Sequence, residues 1–75
     1  MKISELQDKT IINIRDGKNL GNITDLEINE KGEILNIHCM PKRIFFKIFS
    51  SNKENIFKMD NIKKIGHDVI LVELD

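Results

Sequence analysis

The chain has 75 residues, of which twelve are basic and twelve acidic, so its formal net charge is zero. Without a net field it is not drawn as a whole onto nucleic acid or anionic lipid, and any electrostatic partner must be met by a local cluster. The length allows one domain, near the lower limit at which a core holds a fold without staples, and the single cysteine, Cys39, excludes an internal disulfide framework and fits a reducing compartment.

The opening MKISELQDK is charged where a signal peptide needs a continuous apolar run, and no apolar stretch is long enough to span a bilayer. A cytoplasmic protein with no membrane insertion is therefore expected. Ser4 and Gln7 stand at capping-box spacing, which predicts one short helical turn around Glu5 and Leu6. Thr10 to Arg15 is rich in β-branched residues and runs into Asp16-Gly17, a dipeptide suited to a hairpin turn. Leu20 to Ile28 reads as a strand, but Ile23 has the opposite parity to Leu26 and Ile28. A bulge near Thr24-Asp25 would put all three on one face.

The stretch DLEINEKGEILNI, Asp25 to Ile37, admits two readings. A calcium loop wants oxygen ligands at its first, third and fifth positions, a glycine at the sixth and a glutamate at the twelfth. Asp25, Glu27 and Asn29 meet the first three conditions, but Glu30 and Asn36 occupy the two positions that define the loop's geometry. The same residues alternate with Leu26 and Ile28 as a half-buried strand does, so a hairpin turning at Glu30-Lys31-Gly32 is the better reading.

Ile34 to Cys39 alternates again, with Leu35, Ile37 and Cys39 on one side, and Pro41 marks an edge or a corner. RIFFKIF is apolar on both parities except for Lys47, SSNKEN is a loop, and Ile56 to Met59 and Lys63 to Ile65 are short strands. The closing DVILVEL is apolar at five consecutive positions, which predicts cover on both faces. Short strands, close turn signals and no amphipathic helix predict an all-β fold: a small barrel of about six short antiparallel strands, closed to hide its edges.

The order of motifs resembles the PRC-barrel family over nearly the whole chain. ISELQDKTIINIRDGKNLGNITDLEINEKGEI is similar to the first half of such a domain, with Leu20-Gly21, Asp25-Leu26 and Gly32 in the family's places. MPKRIFFKIF and NIKKIGHDVILV are similar to the short sporulation-associated branch, which carries Pro-Trp where this chain has Met59-Asp60. The resemblance implies a six-stranded barrel that acts as a binding or assembly module. Similar domains form the cytoplasmic part of a photosynthetic reaction-centre subunit and the ribosomal-protein-binding half of a ribosome maturation factor.

From Lys42 to Lys64 the chain carries seven basic residues against the two acids Glu54 and Asp60, interleaved with Phe45, Phe46, Phe49 and Phe57. Such a segment fits either a surface with aromatic anchors and a cationic rim or a core with solubilising lysines at its edges. In RIFFKIF the two parities cannot both face one interior, so Phe45 and Phe49, flanking Lys47, are expected in an interface that Lys42, Arg43 and Lys47 orient. A non-enzymatic protein-interaction module of the PRC-barrel type follows, with a homodimer and a protein partner as its expected associations and sporulation as its setting. The second reading is RNA or ribosome association through the Lys42 to Lys64 segment.

His38 and Cys39 are adjacent and so point to opposite faces of a strand, which suits neither a joint metal site nor an activated thiolate. A buried thiol beside an exposed ring is expected there. His67 belongs to a Gly-His-Asp turn. No catalytic residue, metal ligand or cofactor-binding residue is assigned, and no cofactor is expected.

Overall fold

The computed structural model describes residues 1–41 and 54–75. The chain forms one helical turn, α1 (Ile3–Gln7), and six strands: β1 (Thr10–Asn13), β2 (Asn19–Ile28), β3 (Ile34–Met40), β4 (Asn55–Phe57), β5 (Ile62–Ile65) and β6 (Val69–Val72). A 3₁₀ turn at Met59–Asn61 links β4 to β5. The helical turn begins before the predicted box, with the Lys2 N–H donating to Glu5 Oε1 at 3.3 Å.

The strands lie in the order β4-β3-β2-β1-β6-β5 and make an all-β fold. Among the described residues the sheet is not closed, since β4 and β5 stand at its two ends. Every neighbouring pair is antiparallel except β1 and β6, which run parallel from Thr10 opposite Val69 to Asn13 opposite Val72. That pair departs from the wholly antiparallel order expected from local hairpins. Alternation within a strand records which residues face inward, not which distant strand lies alongside.

The core is built from Ile11, Leu20, Ile23, Ile37, Cys39, Phe57, Ile70 and Val72, with Leu6, Leu26, Ile34, Ile62 and Leu74 packed against it. Inward and outward positions alternate along β1 and β6, where Ile11, Ile70 and Val72 are fully buried and Val69 and Leu71 half-buried. Because β6 lies between β1 and β5, its outward side chains keep partial cover. That position explains the unbroken apolar run in its sequence.

Two irregularities set the register of β2. Opposite β3 the pairing moves from Ile23–Cys39 to Asp25–His38, leaving Thr24 as the extra residue at the place where the parity of the sequence demanded a bulge. Ile23 is thereby buried and Leu26 packs on the core, while Asp25 and Glu27 face out. At the hairpin end the pairing moves again, from Glu27–Asn36 to Ile28–Ile34, and Leu35 is displaced. Ile28 and Leu35, expected on the inner face, are therefore exposed, and Ile34 packs inward instead.

The first irregularity of the sheet, between β1 and β2, accounts for Leu20-Gly21. Ile11 faces Gly21 and Ile12 faces Asn19, so Leu20 is the bulged residue, and Gly21 takes φ +88° against the Met40–Pro41 peptide. In the β2–β3 turn, Asn29 Oδ1 accepts from the Lys31 and Glu33 N–H groups at 2.9 and 3.0 Å. The fifth residue of the would-be calcium loop is thus spent on turn geometry.

Candidate functional site

The residues that the sequence assigned to partner binding, Lys42, Arg43, Phe45, Lys47 and Phe49, lie outside the described residues. Phe57, the fourth aromatic residue of the basic segment, is buried in the core and offers no surface anchor. Of the described lysines in that segment, Lys63 lies 3.8 Å from Glu73, and Lys58 and Lys64 are exposed.

Two features gather on the β2-β3-β4 side. The first is apolar and follows from the displaced register at the hairpin end. A groove between α1 and β2 is lined by Ile3, Leu26 and Ile28 among others, and a second beside the 3₁₀ turn by Ile34, Leu35 and Met59. The cross-strand pair Ile28–Ile34 joins them. Ile28 is 61% and Ile3 60% exposed, with Leu35 at 46% and Met59 at 45%.

The second feature is polar. His38 on β3 stands opposite Asp25 of β2 and Ile56 of β4. Two residues along, β2 supplies Glu27 and the residue just before β4 is Glu54, and both reach diagonally to the ring, as long side chains can across a ladder. Glu27 Oε2 lies 2.5 Å from His38 Nε2 and Glu54 Oε1 3.1 Å from Nδ1. The imidazole was expected to be exposed, yet its side chain is 17% accessible because the two carboxylates flank it. Their hydrogen bonds, Glu27 first and Glu54 second, hold its pKa above 6.5 against the opposing effect of burial.

Sequence reasoning passed over this trio because Asp25 and Glu27 read as a solvated alternation and Glu54 lies beyond a long intervening segment. Setting Glu27 diagonal to His38 takes the skip at Leu35, which strand alternation counted outward from the Gly32 turn does not show. The trio does not converge on one point, since each carboxylate takes a different ring nitrogen. It ties strands together and offers no vacant coordination centre.

Cys39, on the opposite face, is fully buried, and burial pushes its thiol up to about 11, with the negative charge of Glu54 adding to the effect. A thiol so disposed fills space and does not attack. His67 is 96% exposed in its turn, 3.9 Å from Asp68. No helix of the described residues is long and apolar enough to cross a membrane.

Comparison with known proteins agrees with this architecture. The family model described as PRC-barrel domain matches residues 1–75. In Bacillus subtilis (strain 168), the protein named "Probable sporulation protein YlmC" is 40% identical over 75 residues, an alignment that covers 99% of this chain and 93% of that one. "Uncharacterized protein YmxH" of the same strain is 32% identical over 76 residues, covering 99% and 89% respectively. The Leu20-Gly21 bulge, the Asp25-Leu26 strand and the Gly32 turn are the structural content of the motifs first read from the sequence, and with a match over its full length the chain belongs to the PRC-barrel family.

Proposed function

We propose that this chain is a non-enzymatic assembly module of sporulation, acting in the cytoplasm as a homodimer or on a protein partner through the apolar end of its β2–β3 hairpin. The observation that carries the reading is the exposure of Ile3, Ile28, Leu35 and Met59 around one hairpin end while the core is already filled by other residues. Fully burying a side chain of this size is worth about 1.5–3 kcal/mol, and the exposed share of each of these four is available to a second polypeptide against the cost of association. The sporulation setting is supported by the printed name of the relative YlmC. Lys42, Arg43, Phe45, Lys47 and Phe49 join the proposal from the sequence alone, the two phenylalanines as partner contacts and the three cations as the charges that orient the partner.

Sedimentation velocity at micromolar concentration tests the reading. Wild type should sediment as a dimer that Ile28→Asp or Leu35→Asp converts to monomer with an unchanged circular dichroism spectrum. Charge substitution at an already exposed position leaves the fold intact, so a folded wild-type monomer that binds no protein would end the proposal. The same experiment with added RNA separates the second reading. Association through counterion release falls steeply with salt, whereas an apolar contact does not.

A further inference from the structure

The geometry points to a protonation-dependent clasp: Glu27, His38 and Glu54 lock the start of β4 onto the sheet while the imidazole carries both of its protons, and release it when one is lost. A neutral imidazole has one N–H and one lone pair, so it can donate to only one carboxylate at a time. Here each ring nitrogen faces a glutamate oxygen, at 2.5 and 3.1 Å. Only the doubly protonated ring satisfies both. On loss of a proton, one nitrogen turns a lone pair on a carboxylate, and that contact becomes repulsive.

The longer contact, to Glu54, is the one that yields. Glu27 stands next to last in β2, within a ten-residue strand that pairs with β3 from Asn22 to Ile28, Glu27 itself opposite Asn36. Glu54 immediately precedes β4, a strand of three residues at the end of the ladder with β3 as its ladder partner among the described residues. Three ladder positions hold that strand, and one buried side chain, Phe57, anchors its far end. Losing a charge-assisted hydrogen bond at the near end of so short a strand is a large fraction of what fixes it there.

The groups facing the ring are few. From β2 come Glu27 and Asp25, the latter directly opposite with its Oδ1 accepting from the Leu26 N–H at 2.8 Å. From the β4 side come Glu54 and the uncharged Ile56. Among the described residues neither Glu27 nor Glu54 is ion-paired with a lysine or arginine, so His38 is their cationic partner there. Because the folded-state pKa of His38 is raised above 6.5, the clasp contributes fully below that pH and is lost as pH rises through the folded-state value.

Two measurements on the full chain decide the matter. NMR titration of the His38 ring protons should give a midpoint above 6.5 that falls in both Glu27→Gln and Glu54→Gln, isosteric changes at exposed positions. Amide exchange at Asn55–Phe57, corrected for base catalysis, should show β4 opening several-fold more often above that midpoint than below it. In Glu54→Gln the opening should sit at the high-pH level throughout. A midpoint at or below 6.5, or β4 protection that is flat across the titration, would overturn the clasp.

Discussion

Gly21 carries two constraints at once. Its φ of +88° lies in the region that side chains avoid, and a Cβ built there would stand 2.2 Å from both the carbonyl carbon and the oxygen of Met40. Those are backbone atoms of the neighbouring strand's end, so nothing can swing aside. Gly17 makes the better half of a comparison: its φ is +73°, but a Cβ would meet nothing within 4 Å. Gly17→Ala should therefore lower stability by about 1 kcal/mol, the conformational term alone. Gly21→Ala should cost about 3–5 kcal/mol, the range reserved for steric conflict in a packed interior. Urea midpoints of the two variants, read against wild type, check the difference. Equal effects would show that the Met40–Pro41 peptide can move. Asn13 shows the same economy with polar atoms. Buried at the end of the first strand, it accepts from the Arg15 and Leu74 N–H groups at 3.1 Å and donates to the Leu74 carbonyl at 3.3 Å.

Within the elements, β2 shows what can be read from residues and what cannot. Ile23 and Leu26 cannot share a face of a regular strand, and the bulge at Thr24 resolves the conflict where the parity breaks. Deleting Thr24 should force either Ile23 or the Leu26 half of the strand outward, because a slip of one residue exchanges the faces. A loss of about 1.5–3 kcal/mol is expected, the burial of one such side chain, and the denaturation midpoint of the deletion variant measures it. The alternation and the turn residues are local properties, so the strands, the Gly32 turn and the buried thiol of Cys39 were legible. The second irregularity was not: nothing in Ile28 or Leu35 reveals that the hairpin end skips a residue and leaves both in water. Nor was the side-by-side placement of β1 and β6, or the reach of Glu54 to His38. Both depend on which distant segments become neighbours, a fact of the whole ladder that no single strand encodes.

Among the described residues the molecule has a packed core and a hairpin end whose Ile28 and Leu35 are exposed. Self-association through that end would make stability depend on concentration, since a partner that binds the folded form alone adds to it by mass action. The thermal midpoint should rise by a few degrees between low and high micromolar protein for wild type and stay constant for Leu35→Asp. A midpoint independent of concentration in both would count against the dimer. The parallel pair β1–β6 has a different kind of consequence. Asn13 holds Leu74 across 61 positions of sequence, and Lys9 Nζ reaches the Gly66 carbonyl across 57. Contacts so remote are the slow ones to find, because the intervening chain must be confined before they return anything. During synthesis the first strand leaves the ribosome long before its neighbour exists. A nascent chain arrested ahead of Val69 should therefore be cut readily by protease, and resistance should arrive in one step once β6 has emerged.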